Sequence, residues 1–516
     1  MNIIERNIIK KDHRNVKLKF ALVYPNIYNV GMCNLAIRLL YELINQREDV
    51  VCERFFFSNY GEIPRSLESG MPLNAFDVIG FSLQHEMDYV RMLDMIKSSG
   101  IPLESKNRSH PIIIAGGPSV TANPIPISPF IDFFIIGEVE PILNELLEIL
   151  INLKNKEDLL SLPGIYQIGK PTEKIYVKNL DNAPHALRQI ILEKENGFLS
   201  SFLLEISRGC NRRCRFCLES FLYSPKRDRS FKVIKNILET GLLLTNTNRV
   251  FCISSALLDH PQIKEILSYL VERKIVFSIP SLRIYDADEE LMKLIASGGQ
   301  RTLTIAPESP SERLREIINK NFPEDQLYNM IHNAKNVGIK SLKLYFMVGI
   351  PGEKDEDYEN LDKIFSKIIS LGFKPSSIHI SINPLIPKAN TPFQWLPLIS
   401  KENYERKVDL FRKKALSFGI RRVECLDYRW SAIQAYLSTA GLEASKILML
   451  LIDDITIRGP ESLGSWRRVL KLFNKRPENI YIPKSIDQPL PWEEIKTSIP
   501  IKLLRSEFIK AIGDLQ

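Results

Sequence analysis

The chain lacks any long apolar run and is poor in cysteine and histidine, with seven of each among 516 residues. No segment approaches the ~18 uncharged apolar residues of a membrane-spanning helix. The first residues contain no apolar core of the kind found in signal peptides. So few cysteines argue against a disulfide framework and favour a reducing compartment. We therefore expect a cytoplasmic protein without a membrane span.

Length and composition indicate an ordinary globular protein of several domains. Hydrophobic residues make up 44% and charged residues 25% of the chain, which is the balance of a soluble fold. A length of 516 residues exceeds one compact domain and suggests about three. The net charge of +8 permits an anionic partner such as RNA, but over this length it favours one only weakly.

Three of the cysteines form a C-x3-C-x2-C motif directly after the apolar run 202–206. Cys210, Cys214 and Cys217 offer three soft thiolate ligands, which suit an iron–sulfur cluster, zinc or copper(I). A closed structural zinc site requires four ligands, and the nearest histidines, His185 and His260, are distant in sequence. The motif favours a cluster with one iron left open, and zinc is the alternative.

The segment 18–150 alternates apolar runs with helical patterns, which predicts a doubly wound parallel sheet. Ligands of such sheets bind beyond the carboxyl ends of the strands. Gly116 and Gly117 follow one of these strands and lack Cβ atoms, so they admit a ligand close to the backbone or simply make a tight turn. The five predicted strands are 18–24, 51–57, 78–83, 112–115 and 133–136.

A second alternating segment predicts a partial (β/α)6 barrel. Six β/α units are three quarters of an eight-fold barrel, whose active sites lie at the carboxyl ends of the strands, where the cysteine motif also falls. We expect a doubly wound domain over 1–150, a connector over 151–199, the barrel over 200–400 and a mostly helical domain over 401–516. The predicted barrel strands are 202–206, 250–254, 276–280, 302–306, 343–348 and 378–382.

Together these motifs resemble the radical S-adenosylmethionine (radical SAM) superfamily, and specifically its class with an upstream cobalamin-binding domain. The resemblance implies a four-iron–four-sulfur cluster on the three cysteines. It also implies that SAM chelates the open iron and is cleaved reductively to methionine and a 5′-deoxyadenosyl radical. The stretches that carry the resemblance are YPNIYNVGM (24–32), AGGPSVTANP (115–124), GEVEP (137–141), RGCNRRCRFC (208–217), IPSLR (279–283), APESPSERLREIINK (306–320), KLYFMVGIPGE (343–353) and NPLIPKANTPFQW (383–395).

The resemblance also implies a SAM site around the cluster. Phe216 would shield the cluster near the adenine, although plain packing is the alternative. Glu308 would face the positive end of SAM, or instead form an ion pair at a helix start. Arg283 is the candidate substrate contact, by its position at the end of the third barrel strand. The complete set of expected SAM contacts is Phe216, Ser254, Ser255, Glu308, Val348 and Gly349.

Cobalamin binding is left with two alternatives. Relatives carry D-x-H-x-x-G after the first strand, and the corresponding loop here, residues 25–32, contains no such histidine. Either cobalamin binds without a protein histidine, or the domain keeps the fold and has lost or exchanged the ligand. His85 follows the third strand, where a histidine is more often a helix-start residue than a ligand. The expected cobalamin contacts are Tyr28, Ser82, Gly116 and Gly117.

The leading functional prediction is a radical SAM enzyme, and cobalamin-dependent methyl transfer to an unactivated carbon is its natural outcome if cobalamin binds. The alternatives are a radical SAM enzyme without cobalamin and a non-catalytic iron–sulfur protein that binds RNA. Methylthiotransferases need a second cluster on three upstream cysteines, and only Cys33 and Cys52 lie upstream. A ferredoxin or flavodoxin is the expected electron donor. The substrate class stays open among RNA, peptide, lipid and small metabolite.

Overall fold

The structure is a computed structural model that describes residues 4–193, 197–284, 287–473 and 480–513. Parts of the predicted connector (194–196) and of the predicted C-terminal domain (474–479 and 514–516) lie outside the described residues. None of the described helices is both long and apolar enough to cross a membrane.

The N-terminal unit is one six-stranded sheet with the strand order β2-β1-β3-β4-β5-β6. The first five strands are parallel, and β6 closes one edge antiparallel to β5. Near-continuous apolar runs such as LKFALVY explain this arrangement, because helices cover both faces of the sheet. The elements are β1 (Leu18–Tyr24), α1 (Leu35–Asn45), β2 (Val50–Phe56), β3 (Val78–Ser82), α2 (Asp88–Ser98), β4 (Ile112–Gly116), β5 (Phe133–Ile135), α3 (Leu143–Ile151) and β6 (Ile165–Tyr166).

The second unit is an open parallel barrel made of two sheets, β7-β8-β9 and β10-β11-β12-β13. A single bridge between Leu282 and Ile305 connects the two sheets. Its elements are β7 (Phe202–Glu205), α4 (Phe231–Thr245), β8 (Arg249–Ile253), α5 (Ile263–Glu272), β9 (Val276–Ser278), α6 (Glu289–Ser297), β10 (Thr302–Glu308), α7 (Glu324–Asn336), β11 (Ser341–Val348), α8 (Asn360–Ser370), β12 (Ile378–Pro384), α9 (Lys401–Ser417) and β13 (Arg422–Cys425).

The C-terminal region is helical, as predicted, with one difference in detail. Strand β13 falls in the segment expected to be mostly helical and extends the barrel beyond β12. Two helices follow it, α10 (Tyr428–Ser438) and α11 (Glu443–Arg458), and a turn that contains Gly441 separates them. The region also contains α12 (Leu463–Leu472) and α13 (Ile501–Gly513).

Several shorter elements support these units. The short helices are Tyr28–Met32, Pro118–Ala122, Leu218–Leu222 and Glu312–Ile317. The two-residue strands are Glu5–Arg6, Thr172–Glu173, Ile191–Leu192, Ser207–Arg208, Arg227–Asp228 and Ile495–Lys496. With these elements, the predicted α/β class, with a doubly wound domain, a partial barrel and a helical C-terminal region, is confirmed.

The carboxyl edge of the N-terminal sheet faces the mouth of the barrel. Lys388, in the loop after β12, forms an ion pair of 2.7 Å with the buried Glu86, in the loop after β3. Asn390 in the same loop donates its amide to the carbonyl of Ala122 at 2.8 Å. Both contacts fix the two units against each other, so the ligand-binding edges of sheet and barrel share one space.

Candidate functional site

The cysteine loop begins where β7 ends, and a short hairpin shapes it. Ser207 and Arg208 pair antiparallel with Asp228 and Arg227. Gly209 follows with a φ of +82°, and a Cβ atom at this position would overlap the carbonyl oxygen of Tyr223. Only glycine accommodates both conditions, so this residue sets the direction in which the loop leaves the strand.

The three thiols suit a cluster better than a single ion. Cys210 and Cys214 are buried and Cys217 is half-buried, and burial raises the pKa of the Cys217 thiol to about 12. Thiolates at this position therefore need a strongly positive partner, such as iron. Among the described residues, no group of three or more His, Cys, Asp or Glu side chains is arranged to hold one metal ion. Three cysteines are one ligand short of a closed structural zinc site, whereas each of them can bind a separate iron of a cluster.

One cavity of about 790 Å³ connects the cysteine loop with the carboxyl edge of the N-terminal sheet. The cavity is lined on the sheet side by loops after β3, β4 and β5, and on the barrel side by the ends of β7 to β10. Most of the sequence-predicted site residues line it, namely Ser82, Gly116, Gly117, Cys210, Cys214, Phe216, Cys217, Ser254, Ser255, Arg283 and Glu308.

Around the cysteines the lining is polar. The hydroxyls of Ser254 and Ser207 are 2.6 Å apart, and Ser255 donates to Oε2 of Glu219 at 2.6 Å. Arg283 places a guanidinium nitrogen 3.5 Å from the sulfur of Cys214. The lining therefore offers hydroxyls and charges of both signs beside the thiols.

Glu308 stands at a bulge at the end of β10, where the register with β11 shifts. Its φ is +64°, which is uncommon for a glutamate and persists only where neighbouring structure holds it. Its carboxylate forms an ion pair of 2.6 Å with Lys320, which also lines the cavity. Glu308 therefore forms an ion pair and also lines the cavity, which is compatible with both interpretations of this residue.

Three predicted contacts do not line the cavity. Val348 is fully buried, and the backbone N–H of Gly349 donates to Oε2 of Glu353 at 2.8 Å. Tyr28 donates its hydroxyl to Oε1 of Glu5 at 2.6 Å and places its ring edge against Phe56. Tyr28 and Gly349 contact neighbouring glutamates, and the assignment of all three residues as cofactor contacts stays a prediction.

A buried charge network beside Cys210 was not anticipated from the sequence. Arg208 contacts Glu205, Glu138 and Glu140 at 2.8, 2.8 and 3.0 Å. Burial alone would raise the pKa of Glu205, but the charges of Arg208 and Arg229 outweigh it and lower this pKa to about 2. Glu138 and Glu140 belong to the motif GEVEP, and Arg208 belongs to RGC. Their opposite charges were the only feature of the sequence that could have indicated this contact.

Below the sheet edge the cavity continues into an apolar slot between α1 and α3. No histidine occurs among the described residues that line the cavity. His85 lies elsewhere: its Nε2 is 2.7 Å from the amide of Gln434, and its Nδ1 accepts the N–H of Met87 at 3.2 Å. The slot-lining residues are Phe20, Leu22, Leu35, Leu39, Leu40, Gly80, Ile114, Ile135, Leu143 and Leu146.

Comparison with known proteins identifies both units. Residues 36–177 match the family model of radical SAM proteins, N-terminal, and residues 204–364 match that of the radical SAM superfamily. The uncharacterized protein MJ0966 of Methanocaldococcus jannaschii is 34% identical over 431 residues, which cover 83% of this chain and 90% of that protein.

Two solved structures share the fold across most of the chain. The radical S-adenosylmethionine methyltransferase TsrM of Kitasatospora setae, solved with cobalamin and a [4Fe-4S] cluster, aligns with a TM-score of 0.55 and 11% identity over 89% of this chain and 100% of its own. The cobalamin-dependent S-adenosylmethionine radical enzyme OxsB, with aqua-cobalamin bound, gives 0.50 and 14% over 96% and 80%.

The thiol chemistry, the barrel and these matches agree on the cofactors of the barrel. Cys210, Cys214 and Cys217 would hold three irons of a four-iron–four-sulfur cluster, and they line a cavity of suitable size for SAM. This chain belongs to the radical SAM superfamily of enzymes, which bind SAM at a four-iron–four-sulfur cluster.

Proposed function

We propose that the protein is a cobalamin-dependent radical SAM methyltransferase that acts on an unactivated carbon. One observation carries this proposal: the cluster cysteines and the ligand edge of the doubly wound sheet open into the same cavity. Two cofactors bound at these places would meet without any movement of the domains. TsrM, a methyltransferase with cobalamin and a cluster, has the same two-unit fold.

The barrel side would hold SAM through the residues around the cysteines. When bound, the cluster supplies the electron that cleaves SAM and thereby starts radical chemistry. Glu308 would hold the ammonium or sulfonium charge, and the hydroxyls of Ser254 and Ser255 would accept hydrogen bonds from the amino group. Arg283 and Lys320 would balance the carboxylate of SAM and the negative cluster. Phe216 would cover the cluster on the side of the adenine.

The sheet side would hold cobalamin without a histidine ligand. The apolar slot between α1 and α3 offers space for a flat aromatic tail, and Gly80 makes room for the ring of Phe20 in the wall of this slot. Gly117 has a φ of +113°, and a Cβ atom there would overlap the carbonyl of Leu83. Only glycine therefore allows the backbone of this loop to lie at the rim of the site. Ser82 supplies a hydroxyl at the rim. The lower face of cobalt would then lack a protein nitrogen.

The contacts of the two upstream cysteines do not favour methylthio transfer. Cys33 lines the cavity, whereas Cys52 is fully buried within β2 beneath α1. A second cluster would need three thiols in this unit, and the sequence contains two.

Spectroscopy of the anaerobically reconstituted protein tests the proposal. We expect a bound cluster together with cobalamin, and an electron paramagnetic resonance signal of reduced cobalamin without nitrogen splitting. Reduced protein with SAM should release 5′-deoxyadenosine. Nitrogen splitting would show that a histidine or the benzimidazole of cobalamin itself ligates cobalt, which would contradict the proposed site, where the tail lies in the slot and no histidine binds. Failure to retain cobalamin would contradict the methyltransferase assignment.

A slot-blocking variant provides the matched control. Leu40 lines the slot and Leu43, on the same helix, does not. Leu40→Trp should weaken cobalamin binding at least about tenfold, because a bulky ring would fill the slot. Leu43→Trp should leave cobalamin affinity within about twofold, and both variants should keep full iron and sulfide content. Equal loss in both variants would show that the slot is not the binding site.

A further inference from the structure

The inner face of the second barrel sheet is polar, which is unusual for a barrel interior. Along β11 and β12 the residues alternate between fully buried aliphatic side chains toward the helices and partly exposed side chains toward the barrel. Lys343 pairs in register with His379, Tyr345 with Ser381, and Met347 with Asn383. Closed barrels fill this space with packed branched aliphatic residues. Here the fold instead maintains a polar wall, formed by Lys343, Tyr345, His379, Ser381 and Asn383.

The polar groups of this wall have almost no partners. Within the part of the chain that the structure describes, Tyr345, Ser381 and Asn383 make no side-chain hydrogen bond, and Lys343 only approaches the ring of Tyr345, at 5.2 Å. These side chains are partly exposed on one face of adjacent strands, so their hydroxyl, amide and ammonium groups are open to a ligand that forms hydrogen bonds with them.

The deeper part of the wall carries an excess of positive charge. Lys343, His379 and Arg422 lie at one level on three adjacent strands, which spans about 10 Å at the usual strand spacing. Glu424 is one carboxylate beside them, and it contacts Nε2 of His379 at 3.0 Å. Arg249 on β8 adds a further cation on the inner face of the first sheet. Lys343 and Arg422 are permanent cations at this level, and Arg422 is exposed on the edge strand β13, so the wall favours an anionic group at the open edge of the barrel.

The opposite wall of the barrel is apolar. Phe198 and Phe251 pack with ring centroids 4.1 Å apart, and Phe251 and Ile253 line the cavity that reaches the cysteines. A ligand between the two walls would therefore place one apolar side against aromatic rings and one polar side against β11 and β12. The level of His379 is four residues below Asn383 at the mouth, which corresponds to about 13 Å along the strand.

We propose that the substrate is an elongated small-molecule anion with an apolar body, such as an aromatic or alkyl phosphate or carboxylate. Its anionic group binds at Lys343 and at the exposed Arg422 of the edge strand, and its other end presents a carbon at the cluster mouth. Tyr345, Ser381 and Asn383 act as hydrogen-bonding contacts between the two ends. The apolar wall, through Phe251 and Ile253, borders the cluster cavity of about 790 Å³, and that volume suits a small molecule rather than a folded RNA. The identification of this anion as substrate rests on the proposed function; the binding site does not.

Ligand-observed nuclear magnetic resonance with phenyl phosphate tests the site in the full chain carrying its cluster and SAM. Phenyl phosphate offers a ring for the apolar wall and an anion for the cations, and benzyl alcohol is its uncharged counterpart. We expect phenyl phosphate to bind and benzyl alcohol to bind at least about tenfold more weakly, because it lacks charge-assisted hydrogen bonds.

Two substitutions that each remove one positive charge distinguish binding at the polar wall from a general electrostatic effect. Lys343→Met removes the wall cation, whereas Lys340→Met removes an exposed lysine just before the same strand. We expect Lys343→Met to weaken phenyl phosphate binding about tenfold and Lys340→Met to change it less than about twofold. Arg422→Gln should weaken binding as well. Circular dichroism confirms that each variant is folded.

Equal affinity of the wild-type and Lys343→Met proteins for phenyl phosphate would overturn the proposal. Binding of an RNA oligonucleotide with no binding of phenyl phosphate would overturn it too. Release of 5′-deoxyadenosine from SAM tests the proposed function independently of phenyl phosphate binding. A chain that binds phenyl phosphate through Lys343 but never cleaves SAM would refute the enzyme mechanism and leave the anion site intact.

Discussion

At the scale of single residues, Glu308 combines backbone strain with a buried-site charge. A positive φ at a glutamate costs on the order of 1 kcal/mol, and such strain is usually found where a side chain must be aimed. Lys320 compensates the carboxylate at 2.6 Å, yet both groups face the cavity rather than each other alone. We infer that the pair is arranged for a zwitterionic ligand, which presents an ammonium to Glu308 and a carboxylate to Lys320.

The variant Glu308→Gln should weaken SAM binding to the reconstituted protein about tenfold, equivalent to ~1.4 kcal/mol. The reason is that an amide keeps the shape but loses the negative charge that attracts the cation. Equilibrium dialysis with labelled SAM measures the affinity. Glu312→Gln, which changes a neighbouring exposed glutamate outside the cavity, is the control. Unchanged SAM affinity together with reduced thermal stability would assign Glu308 a structural role only.

His185 predicts a particular dependence of stability on pH. Burial lowers the pKa of His185 from the ordinary 6.5 to about 4, and the neutral ring accepts the backbone N–H of Glu205 at 3.2 Å. Because the folded state binds its proton less tightly than the unfolded state, the contribution is complete above pH 6.5 and is lost as the pH falls toward 4. The loss amounts to roughly 3 kcal/mol for this group.

Replacing His185 by Gln should therefore flatten the free energy of unfolding between pH 6.5 and pH 4. Urea denaturation at a series of pH values measures this slope. His332→Gln, on the exposed side of α7, should leave the slope of the wild type unchanged. If the His185→Gln protein keeps the full acid-induced loss, other groups cause the acid sensitivity.

At the scale of elements, strands were predicted most accurately from the sequence where apolar runs are continuous. All eleven predicted strands of the two units occur, because buried parallel strands read as unbroken Val, Ile, Leu and Phe. Strand β13 was missed because its sequence RVEC lies at the barrel edge with alternating exposed charges. Tyr28 and Gly349 stay predicted cofactor contacts, and their hydrogen bonds to Glu5 and Glu353 could not be predicted from the sequence because the partners depend on tertiary packing.

Helix α13 packs against the outer side of the cysteine loop. Glu507 contacts the guanidinium of Arg215 at 3.1 Å, and that guanidinium also donates to the carbonyl of Ile317 at 2.8 Å. Phe508 packs its ring 5.4 Å from the ring of Trp395. Because Arg215 lies between two cluster ligands, the position of the helix is coupled to the shape of the loop.

We expect Phe508→Ala to destabilise the protein by about 2 kcal/mol and to accelerate loss of the cluster in air. Truncating a half-buried aromatic side chain removes the packing that holds α13 against the loop. Chemical denaturation and the decay of the cluster absorbance measure the two effects. Ile509→Ala removes a neighbouring side chain that is 53% exposed and should do neither. Normal cluster lifetime in Phe508→Ala would indicate that α13 stabilises the fold without bracing the loop.

At the scale of the whole molecule, buried charges connect the sheet and the barrel. Arg208 of the cysteine loop reaches Glu138 and Glu140 of the sheet edge, and Lys388 reaches Glu86. These contacts were not predicted from the sequence. Its pattern predicts the strands and helices of each unit, whereas the interface between the units depends on packing in three dimensions. Such pairs contribute little net stability compared with apolar packing, but losing one partner leaves the others buried and uncompensated.

The variant Arg208→Met should therefore separate the unfolding of the two units. Met keeps much of the side-chain volume, and Glu138 and Glu205 keep Arg227 and Arg229 as partners, but Glu140 loses the cation that it contacts, with an expected cost of about 3 kcal/mol. Calorimetry should show two transitions in place of one, because the interface fails before either core. Adding Glu140→Gln should recover part of the loss by removing one uncompensated charge, whereas Glu145→Gln on α3 should not. A single transition at the wild-type temperature would mean that apolar packing and the Glu86–Lys388 pair are enough to couple the two units.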